Sequence, residues 1–556
     1  MKSIFFQDNQ THSTYSDGTC TLKEIFEYNN LHDKLDLTIS DHVRKETKWY
    51  PKFVAEIKTL RKQYPDFTVH IGCEVKILDD GTLNTTRKIL DAAEIVIGSV
   101  HHFDRIKEMP AGELLEREFE LTKLLAQNTD IDVLGHPFSM AVRFHNADVP
   151  RHYIEEVYGL CVKNGIKFEY NHKNSPESVR AFVREKVAAG DIKHLSFGSD
   201  MHTDLREIGQ SSFAVQPLVT VLLTGAGTAI TQGVLKGLRR SPVRMRIIAA
   251  DMSPLAAGLY AVDKAYLVPP SNNKRFIPQL IKICKKERVD IIFPGLDPEL
   301  EILSKNAKRI KEASGTTVAI SNLRAVRIAD DKWKTVQFLK ENRFPYAKSC
   351  LTKDVQEFLE TARFPLIVKP RIGARSIGLH VVKNKVELDA AITETPDAII
   401  QEYLSSDNDE YTCSAFVYKG KCYGVICGQR WLRNGDTYKA HFKKYPELEV
   451  FIAKVAIKLN VSGPCNFQLR QTVRGPVIFE INCRFSGTTG AINHLGFNVA
   501  NALLQIIGLK RTPWQLSFKP AYVFRYWNEL FVKEEDVEKL GKVGVLEKPG
   551  SETNVI

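Results

Sequence analysis

Six short apolar runs in the first 202 of 556 residues each end in groups able to hold a metal ion. LDLTISDH ends in Asp41 and His42, FTVHIGCE in Glu74, EIVIGSVHH in His101 and His102, IDVLGHP in His136, IKFEYNH in Asn171 and His172, and HLSFGSDMH in Asp200 and His202. Twelve of the fifteen histidines lie in this stretch, where an even spread would place about five. Imidazoles beside carboxylates suit two or three divalent ions, with imidazole favouring Zn, Mn or Fe and carboxylates able to bridge them. A second constellation lies in CNFQLRQTVRGPVIFEINCRFSGTTG. Gln468 is on one strand, and Glu480 and Asn482 are spaced by two on the next, a spacing that puts both on one face. Such hard oxygen donors can hold two Mg2+ ions against the phosphates of ATP. Arg484, two further on, is expected to share that face and to stabilise a transferred phosphate. Lys369 precedes PRIGARSIGL, whose Gly373, Ser376 and Gly378 let backbone N–H groups approach phosphates while lysine supplies a point charge.

The metal-binding run ends require strands that aim them at one place. Each run is mostly β-branched or aromatic, and most alternate with helix-like stretches such as Val54 to Leu60, Leu114 to Leu125 and Pro176 to Ala189, a β/α repeat. In a barrel or wound α/β sheet, functional groups gather at the C-terminal strand ends, where these residues fall. SSFAVQP (Ser211 to Pro217) reads as a linker. Beyond it, VTVLLTGAGTAITQGVLKGLRR sets Gly225 and Gly227 between a strand and a helix, IIAAD ends in Asp251, and VDIIFPG precedes Asp297 and Glu299. The third position of a dinucleotide fingerprint is Ile230, so the glycines are expected to serve close helix-to-strand packing.

The order of residues over about 4 to 210 resembles the PHP family of metal-dependent phosphoesterases. DNQTHSTYSDG supplies Asp8, His12, Ser13, Ser16, Asp17 and Gly18 of the opening motif, with Gln10 where the family has the first histidine of its HxH pair. Glutamine offers only a neutral oxygen there. The resemblance implies His12, His42, Glu74, His101, His136, Asp200 and His202 as ligands of Mn2+, Zn2+ or Fe2+, with Asp17 beside them, Asp41 behind them and Asn171 facing the pocket. Asp200 and His202 are also the expected catalytic positions. Adjacent cations lower the pKa of a shared water and neutralise phosphate oxygens, which suits phosphoester hydrolysis. Gln10 leaves open a barrel that is only a scaffold.

Residues of about 218 to 510 resemble ATP-grasp ligases of the carbamoyl-phosphate-synthase-like and amino-acid-ligase branch. In addition to Gln468, Glu480, Asn482 and Arg484, the resemblance implies that Lys332 of ADDK and Lys369 meet phosphates. It places Gln401 and Glu402 of IIQEYL at the hinge that meets adenine and ribose, and Glu410 of DNDEYTCS in the position of the family's EYS motif. It implies ATP with Mg2+, an acyl-phosphate intermediate and release of ADP.

These readings divide an α/β chain into a distorted β/α barrel at 1–212, an α/β domain at 213–325, an ATP-grasp domain with an α+β fold at 326–515 and an extension at 516–556. The aromatic residues Tyr522, Phe524, Tyr526 and Trp527 of the extension are expected to pack on the core. With 77 Lys and Arg against 66 Asp and Glu, a net +11, and no long basic block, the charge permits an anionic small molecule without demanding nucleic acid. Ten cysteines without a CxxC pair and a polar N-terminus fit the cytoplasm. The longest apolar stretch, Phe213 to Ile230, is broken by Gln216, Pro217, Gly225 and Gly227, so no membrane segment is expected. The expected partners are a small-molecule carboxylate, an amine and a phosphoester, and no feature sets an oligomeric state. The alternative is a nucleic-acid-processing PHP nuclease with an ATP-binding regulatory module, against which stands the lack of basic runs with interleaved aromatics.

Overall fold

The computed structural model describes residues 6–553 apart from 104, 217, 374–376, 405–408, 527 and 550, with only the backbone of 551–553. Two compact units result: Met1–Pro217 with Pro242–Arg244, and Leu218–Ser241 with Met245–Ile556.

The first unit is a nearly closed parallel barrel. Its strands are β1 (Gln7–Thr11), β2 (Asp36–Ile39), β3 (His42–Val43), β4 (Val69–Lys76), β5 (Ile95–Ser99), β6 (Val133–Gly135), β7 (Lys167–Tyr170) and β8 (Leu195–Phe197). They run in the order β1-β2-β4-β5-β6-β7-β8, with β3 beside β4. Just past β8, Thr11 bridges to Met201, the His12 N–H donates to the Met201 carbonyl at 2.9 Å and the Asp200 N–H to the Gln10 carbonyl at 2.9 Å. The expected helices form as Tyr50–Gln63, Ala111–Ala126 and Glu177–Ala188, burying Phe53, Ile57, Leu114, Leu121, Phe182 and Val183. Apolar residues recurring at three and four give each helix one face for the barrel.

The linker expected at Ser211 to Pro217 is not one over its first four residues. They belong to a short helix, Gln210–Ala214, with Ser211, Ser212 and Phe213 buried. The Ser211 hydroxyl donates to the Gly198 carbonyl at 2.6 Å and that of Ser212 to Gly209 at 2.9 Å. Serines whose hydroxyls find nearby carbonyls can be buried despite a polar sequence.

The second unit opens with a parallel sheet of β9 (Val219–Thr224), β10 (Met245–Asp251), β11 (Lys264–Leu267), β12 (Ile291–Phe293) and β13 (Thr317–Val318), in the order β13-β12-β9-β10-β11, with Val545–Glu547 antiparallel at the edge. Gly225 has φ +61°, and a Cβ there would lie 3.0 Å from that of Leu296. The glycine turn is thus a close-packed junction. Two antiparallel sheets follow: β14 (Ser349–Leu351), β15 (Leu366–Pro370), β16 (His380–Val382) and β17 (Ala398–Glu402), then β18 (Glu410–Tyr418), β19 (Lys421–Arg433), β20 (Asp436–Lys443), β21 (Gly463–Thr472), β22 (Gly475–Asn482) and β23 (Ala521–Phe524). Leu339, Ile452, Phe467 and Ile481 share the core of the larger sheet.

The expectation that the C-terminal aromatics pack inward fails. Tyr522, Phe524 and Tyr526 are 61%, 66% and 71% exposed, and Trp527 lies outside the described residues. β23 is an edge strand on β20, where Tyr522 stacks on His441 at 3.8 Å. Its residues therefore pair along the sheet without being covered. No helix among the described residues is long and apolar enough to cross a membrane, and all ten cysteines are free thiols.

Candidate metal centre and nucleotide cavity

In the barrel, Glu74 near the end of β4 is the hub. His101 Nε2 and His136 Nε2 lie 2.8 and 3.0 Å from its Oε1, while His12 Nε2 and His42 Nδ1 each lie 3.3 Å from its Oε2. Asp200 Oδ1 is 3.1 Å from His12 Nε2, and Asp17 Oδ2 is 3.3 Å from both His42 Nε2 and His202 Nε2. All eight residues singled out as ligands therefore gather at one place. Three sets have donor atoms close enough for a shared ion: His12, Asp17, His42 and His202; His42, Glu74 and His101; and His12, Glu74 and Asp200.

The local chain geometry serves this gathering. Asp41 takes the N–H and hydroxyl of both Ser13 and Ser16, at 2.6 to 3.0 Å, fixing the turn that carries Asp17. A side chain at Gly18 would come within 2.7 Å of the His12 carbonyl. His136 and Asp200 have φ of +24° and +54°, sparsely populated values that persist where the surroundings over-determine them. Burial alone would raise the pKa of Glu74, yet the imidazoles of His42, His101 and His12 hold it well below the usual carboxylate range. His136 is pushed up to about 9 because Glu74 outweighs its own burial.

Both ring nitrogens of His12, Oε2 of Glu74 and both amide atoms of Gln10 are buried without a hydrogen-bond partner among the described residues. The lone-pair atoms among these, one ring nitrogen of His12, Oε2 of Glu74 and the amide oxygen of Gln10, fit divalent cations, which would satisfy them but not the Gln10 amide N–H groups. Asn171 accepts from the N–H of Lys173 and Asn174 through Oδ1, and its Nδ2 also has no partner among the described residues. Sequence reasoning missed Asn174, whose Nδ2 donates to Asp200 Oδ2 at 2.7 Å, and Ser99, whose hydroxyl donates to Glu74 at 2.6 Å. Each sits within two or three residues of a motif already singled out.

Behind His136, buried Glu118 accepts from the N–H groups of Met140 and Ala141 at 2.9 and 2.7 Å, and burial pushes its pKa up to about 7. A carboxyl with a folded pKa above its unfolded value costs nothing below the unfolded pKa and destabilises increasingly up to the folded one. Thermal melts from pH 5 to 8 should therefore fall less steeply with pH for Glu118→Gln than for wild type, whatever the offset between the curves. An unchanged slope would show that Glu118 ionises normally.

In the second unit, a cavity of about 990 Å³ is lined by Lys332, Lys369, Gln468, Glu480 and Asn482, among others. The register sets Gln468 opposite Glu480 and Asn466 opposite Asn482, and Asn482 Nδ2 donates to Glu480 Oε1 at 2.8 Å. Lys369 Nζ donates to Gln401 Oε1 at 3.0 Å, and Lys332 Nζ to the Gly373 carbonyl at 2.8 Å. Burial, reinforced by Lys332 and opposed by Glu480 and Glu410, pulls the Lys369 amine down to about 8. Gly373 and Gly378 have φ of +152° and +70°, and Ser376 lies outside the described residues.

Gln401 and Glu402 are neighbours on β17, so their side chains point to opposite faces. Gln401 is committed to Lys369 and the Ser349 hydroxyl, Glu402 to Arg474 and the Lys348 N–H. Glu410 is buried between Arg430 and Arg470, and Arg430 also donates to Gln468 at 2.8 Å. Arg484 does not continue the strand face as expected. β22 ends at Asn482, the Arg484 N–H turns back to the Asn482 carbonyl, and the guanidinium is bidentate to Asp297 at 2.6 and 3.0 Å. Arg430 carried no local signal, and Asp297 stood out in the sequence only as an acid at a strand end, with nothing to tie it to Arg484.

Comparison with known proteins matches residues 221–319 to the PylC-like N-terminal domain and residues 394–526 to the family described as ATP-grasp in the biosynthetic pathway with Ter operon. The chain is 27% identical over 197 residues to the uncharacterized protein MG011 of Mycoplasma genitalium, covering 33% of this chain and 66% of that one. It is 26% identical over 186 residues to a carbamoyl-phosphate synthase of Methanobrevibacter smithii, covering 31% and 49%. A third similarity, 29% over 139 residues, is to the DNA polymerase/3'-5' exonuclease PolX of Bacillus subtilis, covering 23% of each. The chain thus spans less than two thirds of each relative's length. The C-terminal region has the ATP-grasp ligase fold, preceded by its α/β domain.

Proposed function

We propose that the chain is a bifunctional enzyme, an ATP-dependent, ADP-forming carboxylate–amine ligase joined to a metal-dependent phosphoesterase of the PHP kind. The observation that carries the ligase reading is the convergence of Gln468, Glu480, Asn482, Lys369 and Lys332 on one cavity. Mg2+ bound there would neutralise phosphate charge and hold ATP in line for transfer to a carboxylate. The chain's own work is positioning. Arg430 orients Gln468 while pinned by Glu410, Asn482 orients Glu480, and Lys369 and Lys332 supply positive charge for phosphates. Substrate-dependent ADP release by the full-length protein tests this reading.

The barrel reading rests on Glu74 shared by four imidazoles. Divalent ions held there would activate water and neutralise phosphoester oxygens. The PolX similarity is compatible with a phosphodiester substrate, so hydrolysis of an aryl phosphate but not of DNA or RNA separates the favoured reading from a nuclease. Both activities in one polypeptide suggest one reaction sequence, in which the barrel removes a phosphate from a substrate or product of the ligase.

The variant Gln10→His adds an imidazole where two buried amide atoms lack partners. Elemental analysis of untagged protein should show more metal per chain than in wild type, because a nitrogen donor replaces a neutral amide oxygen. Equal content in the two proteins would remove Gln10 from the account of metal affinity.

A further inference from the structure

Cations at the Glu74 cluster leave one group unanswered, the amide N–H groups of Gln10. Gln10 lies on β1 and is 0% exposed, and neither its Oε1 nor its Nε2 has a hydrogen-bond partner among the described residues. Glu169, on β7, is equally buried, and its carboxylate is only half used. Oε2 accepts the His136 N–H at 2.8 Å, while Oε1 has no partner among the described residues. An orphaned donor and an orphaned acceptor thus occur in the same barrel, and each is costly while it stays unpaired.

Gly198 brings the two together. It follows β8, the strand that pairs with β7 on one side and leads to the closure onto β1 on the other. A Cβ on Gly198 would overlap Glu169 Oε1 and lie 2.7 Å from Gln10 Cβ. The missing side chain therefore leaves a gap that β7 and β1 fill from either side, and the Gln10 amide, which begins just beyond that Cβ, is within reach of Glu169 Oε1. The ion-binding groups are close by along the chain. Gln10 sits two residues before His12, its carbonyl accepts the Asp200 N–H at 2.9 Å, and Asp200 Oδ1 is 3.1 Å from His12 Nε2.

We propose that the Gln10 amide is itself a metal ligand, its Oε1 on a divalent ion shared with His12, Glu74 and Asp200 and its N–H held across Gly198 by Glu169 Oε1. The proposal rests on the metal-dependent reading of the barrel and gives it a positioning residue, Glu169. The amide can be turned only one way. Its oxygen accepts and its nitrogen donates, so the opposite orientation would set N–H groups against a cation and oxygen against a carboxylate. A carboxylate on the N–H side also polarises the amide and strengthens its oxygen as a ligand, the part that an outer partner plays for a metal-bound imidazole. The ligand so made is hard: a carbonyl oxygen suits Mn2+ and Mg2+, whereas an imidazole suits Zn2+. Gly198 belongs to the arrangement, because a side chain there would separate the two partners.

The test is calorimetry of Mn2+ binding to the metal-stripped full-length chain in degassed buffer, with Gln10→Ala, Glu169→Gln and the double variant. The pH is set above about 8, the value to which burial pushes the Glu169 carboxyl. Glu169→Gln keeps an oxygen for the His136 N–H but sets an NH2 against that of Gln10. The proposal expects this variant to bind Mn2+ about tenfold more weakly or worse, and the same change to cost almost nothing further in the Gln10→Ala chain. A Glu169 that only supports the turn at His136 would weaken binding by the same factor in both backgrounds. Gln10→His should shift the ratio of Zn2+ to Mn2+ affinity toward Zn2+. Equal factors, undiminished binding in folded Glu169→Gln, or an unmoved ratio overturns the proposal and leaves the metal-dependent reading standing, whereas a wild type that binds no divalent ion overturns both. If Glu169→Gln does not fold, a crystal structure of the Mn2+-loaded wild type decides. Gln10 Nε2 within about 3.2 Å of Glu169 Oε1 supports the proposal, and a longer separation overturns it.

Discussion

Glu480→Ala and Asn482→Ala each lower substrate-dependent ADP release by roughly a thousandfold, the scale of losing one charge-stabilising group at a transferring centre, and leave the fold intact. Both side chains are part-exposed on the cavity side of β22, and the β21–β22 pairing runs through backbone groups that alanine keeps. The core beneath is made by their strand neighbours Ile478 and Ile481, which are untouched. What the variants lose is hard oxygen donors lining the cavity that Lys369 and Arg484 also line, so phosphate charge goes uncompensated at transfer. Circular dichroism and melting temperature should match wild type. Unaltered ADP release in both variants would sink the assignment of this hairpin.

Glu74→Gln strips the barrel of metal. The carboxylate is fully buried and touches four imidazoles at 2.8 to 3.3 Å, two through each oxygen, and it would supply the central negative charge to ions held there. Glutamine is isosteric and keeps an oxygen for the Ser99 hydroxyl, but it carries no charge and puts an N–H donor where the second oxygen was. Losing even an outer-shell partner typically costs about 10- to 100-fold in metal affinity, and a shared ligand should cost more. Elemental analysis should show the wild-type content of two or more ions falling below about one per chain, with hydrolysis of an aryl phosphate falling alongside and ADP release unchanged. A variant that keeps its metal would show that the ions do not depend on Glu74.

The barrel and its cluster were legible because their signals are local. His42, Glu74, His101, His136 and Asp200 each follow a short β-branched run, and a strand end in a β/α repeat has only one place to point. The pairing of Asp297 with Arg484 and the role of Glu118 were illegible for the opposite reason. Asp297 meets Arg484 across 187 positions, and Glu118 reaches the N–H groups of Met140 and Ala141 from another helix. Such contacts are settled by tertiary packing, to which no spacing rule applies. Ser211 to Ala214 was misread because a serine pair looks like loop until its hydroxyls are seen to have carbonyl acceptors. Arg484 was expected on a strand face because the ExNxR spacing fits one, but β22 ends two residues early. That turn is what hands the guanidinium to Asp297.

The most direct measurement is the yield of hydroxamate against ADP when the full-length protein is given Mg-ATP, hydroxylamine and a mixture of the twenty proteinogenic amino acids with their deaminated counterparts. Carboxylate activation in the C-terminal cavity predicts ADP equal to the sum of hydroxamate and amide, all lost in Glu480→Ala and all kept in Glu74→Gln. ADP formed with neither hydroxamate nor amide product, or a yield that survives Glu480→Ala and fails in Glu74→Gln, would contradict the account.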